Sequence, residues 1–539
     1  MIRISQIKMP LAHDEKMLLS KASGLLHIKA EQIRSFRIVK KSIDARKKPD
    51  IFLVYVLDLE VLQEDKVLAR IHDSRIQKAS DVPYRFVISG ETLLEKKPVI
   101  IGSGPAGLFC GYQLALHGYR PVILERGKDV KNRMADVEAF WKTGILLPNS
   151  NVQFGEGGAG TFSDGKLNTL IKDKCGRNKE VLRILADAGA PEEILYESKP
   201  HIGTDILIKV VEQLREKILQ YSGEIYFESQ VTDLIIEENR IQGVIINKEQ
   251  TIFTDIVVLA VGHSARDTFH MLYERKVPLE SKAFAVGLRV EHPRRFINMI
   301  QYGMEENDVL NAADYKVTAH SSDGRGVYSF CMCPGGYVVN ASSEEEALAV
   351  NGMSYSGRHG ENSNSAVIVT VTPDDYPDKH PLSGVAFQRE LEKKAYLIGQ
   401  GHVPVETYGE FKEAVTGRKS DPSKLIEKYP DFMPAVKGAY QAGTVHEIMP
   451  DTLNRAFVEG MEQFGKYLPG FDDSGVYVSG IESRTSSPVR IGRDESGQSA
   501  IRGLYPCGEG AGYAGGITSA AMDGMYIAEK IAEKYRPFI

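Results

Sequence analysis

The sequence predicts an α/β chain: a nucleotide-binding domain built on a parallel sheet, with a mixed α+β domain inserted in it and a small α+β domain ahead of it. Three apolar runs predict this. The first, 99–101, ends in Gly102-Ser103-Gly104-Pro105-Ala106-Gly107, and a helical pattern opens directly behind it. The second, 255–263, is continuous, as in a parallel strand buried on both faces. The third, 503–507, returns near the end of the chain after a long stretch of different pattern.

Taken in order, residues 1–95 form the first unit. Residues 2–4 and 51–59 read as strands, rich in β-branched and aromatic residues, and 13–23 and 29–35 look helical. Residues 42–48 read as a polar, basic turn, either a solvated loop, a contact for an anion or a partner, or a loop covering the cofactor. Residues 91–97 are a charged linker.

The strand–turn–helix at 99–116 is followed by a strand at 121–124 that ends in Glu125. That is the order of a βαβ nucleotide-binding unit. The glycines give the tight turn, the close approach of a pyrophosphate and the close packing of helix on strand. The free N–H groups at the helix start face the phosphate charge. Glu125 stands where a carboxylate accepts from ribose hydroxyls. A polar helix is expected over 126–143. Behind it, Phe154 to Leu167 holds five glycines between 155 and 165, which no helix or strand interior tolerates. Such a run offers backbone N–H groups to an anion. It reads as a second cofactor loop, the alternative being a flexible surface loop.

Helices follow at 178–188 and 204–221. Short strands at 224–228, 231–237, 240–247 and 251–253 read as one antiparallel set. The nucleotide-binding domain is expected over 96–278 plus 476–539, with a returning strand at 476–480 and a last helix over 516–535. Between them, 279–475 shows alternating strands and two helices, and reads as an inserted substrate or cap domain.

Composition excludes several classes. With 42% apolar and 26% charged residues, the 539-residue chain is an ordinary globular one. Its longest apolar runs are too short to span a bilayer, and no secretion signal opens it. Five cysteines make no disulfide framework, so a cytoplasmic setting is expected. Residues 1–97 carry 19 Lys and Arg against 13 Asp and Glu. That excess is too small to argue for nucleic acid.

Three segments match one pattern: Gly102 to Gly107 with Glu125, the run Val257 to Gly262, and Gly503 to Gly512. On these the chain resembles FAD-binding flavoproteins of the two-dinucleotide-binding-domain superfamily. More closely, through the motifs at 154–167 and 508–517, it resembles the bacterial FAD-dependent, NAD(FAD)-utilising dehydrogenases over essentially residues 1–535. A looser similarity runs to geranylgeranyl reductases and aromatic hydroxylases. The fold implied is a Rossmann-like FAD-binding domain of glutathione-reductase or hydroxylase type. The resemblance implies FAD as resident cofactor and assigns it Gly102, Gly104, Pro105, Ala106, Gly107, Glu125, Arg126, Gly158, Gly160, Ser163, Asp164, Gly165, Lys166, Leu167, Val231, Ala260, Gly262, His263, Gly508, Glu509, Gly515, Gly516 and Ile517. Val231 matches the adenine-side valine, Glu509 the acid beside the ribityl chain.

The spacing Gly-x-Gly-x-x-Gly recurs at Gly155 and Gly510, but neither copy is followed by a helix and an acid-ended strand. No second dinucleotide domain is therefore read. NAD(P)H as donor would bind transiently near the flavin, an inference from architecture.

Cys331 and Cys333 are candidates for chemistry, as a redox pair or a thiol near the flavin; the alternative is two small residues on a strand end. Arg484 has the forked donors that suit a substrate carboxylate or phosphate, or else forms a structural ion pair. The histidines lack metal-ligand spacing, so no metal is expected. The function read is an FAD-dependent oxidoreductase acting on a small organic substrate. The alternatives are an RNA-modifying flavoprotein docking through residues 1–90, and a flavin sensor.

Overall fold

The computed structural model describes residues 1–538. At its centre lies a five-stranded parallel sheet in the order Leu504–Pro506, Val257–Leu259, Val99–Ile101, Val122–Leu124, Glu224–Tyr226. The three apolar runs are thus adjacent strands, buried on both faces. The helix Pro105–Leu116 lies behind the first and is buried from Ala106 through Ala115. Burial of Leu108, Phe109 and Leu114 contributes roughly 2 kcal/mol each. The last helix, Ile517–Lys534, packs against it so tightly that a Cβ on Gly524 would lie 2.1 Å from the Ala106 carbonyl oxygen. Both helices start at the carboxyl ends of the sheet, where ligands of such folds bind.

The strand expected at 224–228 sits in this parallel sheet, as Glu224–Tyr226, and not in the antiparallel set. It follows the helix Thr204–Gln220, and a strand–helix–strand crossover returns parallel. The antiparallel sheet has three strands: Val231–Glu237, Arg240–Ile246 and Gln250–Phe253.

A seven-stranded sheet forms the other large layer. Its order is Thr318–His320, Gly326–Cys333, Asn362–Val371, Phe284–Pro293, Tyr477–Glu482, Val403–Thr407, Tyr440–Ala442. The strand Tyr477–Glu482 pairs here, between Phe284–Pro293 and Val403–Thr407, where the sequence reading placed 476–480 with the nucleotide-binding return. The return comes after it, at Val489–Ile491 and Leu504–Pro506. A strand buried on both faces carries no mark of which sheet it joins.

The N-terminal unit holds a four-stranded sheet in the order Ile33–Lys47, Asp50–Val61, Ile2–Pro10, Ile76–Lys78, with the helix Glu15–Leu25 against it. Residues 29–35 are not helical beyond the short turn Ala30–Gln32, with 33–35 opening the 15-residue strand Ile33–Lys47, and 42–48 is no turn but falls almost wholly on that strand. Ile33, Phe36 and Ile38 pack on the core, while Arg37 and Asp44 make ion pairs on the outer face. That charged face masks the alternation. The linker 91–97 contributes Thr92–Leu93, which pairs with Tyr535–Arg536. No helix among the described residues is long and apolar enough to cross a membrane.

Candidate functional site

One cavity opens where the carboxyl ends of the parallel strands meet the seven-stranded sheet. Its near end is the glycine turn. Gly102 has φ +100°, and a Cβ there would lie 2.7 Å from the Ala260 carbonyl oxygen. Gly104 caps the helix, and Pro105 fills the first helical position, where its missing N–H leaves nothing unpaired. Glu125 closes the next strand. Its Oε2 accepts from the Ser103 N–H at 2.9 Å and hydroxyl at 2.8 Å, its Oε1 from the Gly127 and Gly155 N–H groups at 3.0 and 3.1 Å. The carboxylate therefore ties the turn to the glycine-rich loop. Arg126 lies over the Phe154 ring at 4.3 Å and donates to Asp267.

The loop from Ser150 to Leu167 is shaped by a residue the sequence reading passed over. Arg133, on the helix Val130–Thr143, is fully buried and donates to the carbonyls of Asn151, Val152, Gly155, Glu156 and Gly158 at 2.7–3.2 Å. Burial pulls its guanidinium down to about 10, still charged at neutral pH. Five backbone acceptors around one cation fix the loop, whose Gly155, Glu156 and Gly157 N–H groups are in turn bonded to Glu125 and to the Lys128 and Ser103 carbonyls. Glu156 hangs beneath, bonded to the Val130 N–H and to Arg215, and burial pushes its carboxyl up to about 7.

The turn behind the strand Val257–Leu259 supplies Ala260, Gly262 and His263; the turn behind Leu504–Pro506 and the start of the last helix supply Glu509 and Gly515 to Ile517. The His263 Nδ1 stands 3.7 Å from Glu509, and its buried Nε2 has no partner. Burial, with Arg484 and Arg266 nearby, lowers its pKa to about 3, so the ring is neutral. Burial also raises the Glu509 carboxyl to about 7. A Cβ on Gly262, Gly515 or Gly516 would meet nothing within 4 Å. Open glycine surface, two helix N-termini and an orphaned buried imidazole nitrogen fit a phosphate-bearing cofactor with hydrogen-bonding ring edges.

The far wall comes from the seven-stranded sheet and its neighbours: Phe330, Cys331, Asn351, Glu482, Arg484 and Thr485. Behind it lies fully buried Arg289, bonded to Glu482 at 2.5 and 3.1 Å, to Asn351 at 2.9 Å and to the Cys331 carbonyl at 2.8 Å. Burial outweighs this ion pair and pushes the Glu482 carboxyl up to about 7. Arg484 is not free for a substrate anion. It donates to Glu392 at 3.0 and 2.8 Å, and Glu392 also takes Arg266 at 2.7 and 2.8 Å. Against the opposing effect of burial, these two arginines hold the Glu392 carboxyl well below its usual range.

Every residue assigned to the cofactor lines this cavity except Gly107, Asp164, Leu167 and Gly508. A Cβ on Gly107 would lie 1.9 Å from the Gly102 oxygen, and one on Gly508 2.7 Å from the Ala106 side chain, so both act in packing. Leu167 is core. Asp164 is fully buried and bonded to Arg358 and Ser354, joining the loop to the segment 354–358. Lys166 donates to the Met332 carbonyl, tying the same loop to the far wall. Asn168, Ser229, Thr268, Phe330, Asn351 and Glu482 line the cavity without having been singled out. Only their neighbours in space mark them.

Three family models match the chain: an FAD-dependent protein, C-terminal domain-like, over 283–485; an NAD(P)-binding Rossmann-like domain over 100–153; and a domain of unknown function over 1–60. A protein of Clostridium beijerinckii (strain ATCC 51743 / NCIMB 8052), named only as an uncharacterized protein, is 44% identical over 539 residues, covering 99% of each chain. The chain belongs to this family of FAD-dependent flavoproteins. It is an oxidoreductase with FAD as its cofactor. Among solved structures it is similar to a glycerol-3-phosphate dehydrogenase from Bacillus halodurans complexed with FAD, at 12% identity and TM-score 0.34, covering 82% of this chain and 65% of that one. An L-proline dehydrogenase from P. horikoshii gives 14% identity and TM-score 0.34, with 81% and 94% covered. A geranylgeranyl bacteriochlorophyll reductase-like protein from Thermoplasma acidophilum gives 13% and 0.35, with 81% and 78% covered. At these scores the likeness carries no argument about this chain.

Proposed function

We propose that this oxidoreductase oxidises or reduces a small organic molecule against the wall formed by Phe330, Cys331, Asn351 and Glu482. The observation that carries the reading is the shape of the cavity. It begins at a dinucleotide turn and ends on side chains of the seven-stranded sheet. FAD supplies two-electron redox chemistry when bound. Glu125, Arg126 and Val231 would hold its adenosine end. The starts of the helices at Pro105 and Ile517, with the Arg133-shaped loop, would hold the charged middle. His263 and Glu509 would stand near the flavin end.

The chain's own residues then have separate tasks. Arg289 orients the Glu482 carboxylate, Asn351 and the Cys331 backbone together. Glu482 holds or gives up a proton at its carboxyl oxygen near neutral pH. Phe330 excludes water from the wall. The Arg266–Glu392–Arg484 cluster closes the floor, where two buried arginines donate to one buried carboxylate. A nicotinamide donor, NADH or NADPH, would enter the same far end transiently, because no second dinucleotide turn is built among the described residues.

Anaerobic titration with NADH and with NADPH tests this. Bleaching of the bound flavin by one of them, followed by reoxidation from a panel of small organic acceptors, is expected. A flavin that neither nucleotide reduces, and that no small organic molecule reduces or reoxidises, would sink the reading.

A further inference from the structure

We propose that Cys331 and Cys333 form a redox-active dithiol–disulfide couple opening on the cofactor cavity; this rests on reading that cavity as the FAD site. Cys331 lines the cavity, and Cys333 is fully buried directly behind it. In a regular strand, residues two apart share a face but stand roughly 6.5 Å apart. A disulfide needs Cβ atoms about 4 Å apart. This strand is not regular there. Phe330 pairs with Ala366 and Cys333 with Asn364, so one extra residue bulges between them, and Cys331 takes the left-handed φ of +43°. The bulge breaks the regular two-residue step between the two cysteines. The Cys333 thiol donates to the Cys331 carbonyl at 3.2 Å, which brings its sulfur against that residue.

The surroundings suit one thiolate. The Cys333 hydrogen bond, then the positive charges of Arg289 and Lys166, draw the Cys331 thiol below its ordinary range, while burial pushes Cys333 up. The Arg289 Nη1 lies 4.0 Å from the Cys333 sulfur. The half-buried member that lines the cavity is thus the nucleophile and the buried one its resolving partner. In the oxidising direction both S–H bonds break and one S–S bond forms. Two electrons and two protons leave, to the oxidised flavin when FAD is bound and to an external disulfide in the apoprotein. The reverse reaction restores both thiols. Of the five cysteines, Cys110 and Cys507 are buried elsewhere and Cys175 is exposed.

The test uses the full chain carrying Cys175→Ser, as apoprotein and loaded with FAD. The apoprotein is equilibrated without oxygen across ratios of reduced to oxidised dithiothreitol, quenched in acid and alkylated in denaturant. The peptide holding Cys331 and Cys333 is expected to lose both alkylation sites together and to become lighter by two hydrogens. Cys110 and Cys507 stay alkylated. In the second arm, prereduced protein freed of dithiothreitol receives oxidised FAD. One flavin is expected to bleach for each disulfide formed, and Cys333→Ser is expected to abolish both signals. Two alkylated sites at every ratio, or a dithiol that leaves bound flavin oxidised, overturns the proposal while the FAD reading stands. A disulfide in apoprotein that binds no FAD defeats the FAD reading and leaves the couple in place.

Discussion

Glu125 accepts both the backbone N–H and the hydroxyl of Ser103, at 2.9 and 2.8 Å, and so locks the middle of the glycine turn to the end of the next strand. The same carboxylate reaches the Gly155 N–H, 30 residues further on. A side chain expected to serve only the cofactor therefore also builds the pocket.

Replacing Glu125 should weaken the site twice over. Hydrogen bonds to a charged group contribute about 1.5–3 kcal/mol each. Glu125→Ala is expected to weaken FAD binding by at least about tenfold. Glu125→Gln keeps an acceptor and should lose less. Quenching of FAD fluorescence on titration with apoprotein measures both. Equal affinity for wild type and Glu125→Ala would remove Glu125 from the site.

Arg133→Met should release the loop from Ser150 to Leu167. The substitution leaves five carbonyls without their donor, at a cost of about 3 kcal/mol or more. Retained FAD should fall below detection, and trypsin should cut within 150–170. A variant that holds FAD as tightly as wild type would show that the loop sets itself.

How much of this was legible follows from sequence separation. The turn, Glu125, the strand 257–259 and Glu509 lie in segments whose pattern is local, so they could be read. Arg133 could not: one arginine in a polar helix reads as solvated, and its partners are backbone oxygens without a residue signature. Arg358 meets Asp164, and Glu482 meets Arg289, across 194 and 193 residues. The strand Ile33–Lys47 was missed because ion pairs fill its outer face. The strand 477–482 was placed in the wrong sheet because burial on both faces looks the same in either.

Stability should fall as pH rises through the range set by Glu156. Its carboxyl goes from an ordinary 4.5 to about 7 on folding, and its Oε1 has no partner. Between those values the folded chain binds more protons than the unfolded one, so stability decreases with pH. Glu156→Gln mimics the protonated form. In urea unfolding the variant is expected to match wild type at pH 5 and to be more stable above pH 7, by about 2 kcal/mol. A difference constant from pH 5 to 8 would refute the assignment.

Asp58 anchors the first domain. It is fully buried and accepts from Arg3 at 2.7 and 2.8 Å and from Arg37 at 3.1 and 2.7 Å. Asp58→Ala leaves Arg3 and Arg37 with Asp81 as their remaining carboxylate and is expected to destabilise this unit by about 2 kcal/mol. Faster proteolysis confined to residues 1–80, with the flavin spectrum intact, is the expected signature. Loss of flavin together with that unit would show that the first domain holds the cofactor.

The central claim is that one cavity, from the Gly102 turn to the Glu482 wall, holds FAD as a resident group. The most direct measurement is the flavin content of the purified full chain, read from its visible spectrum and from the nucleotide released on denaturation. One FAD per chain, retained through gel filtration and lost in Arg133→Met, is the predicted result. A colourless protein that takes up no FAD from a molar excess would contradict it.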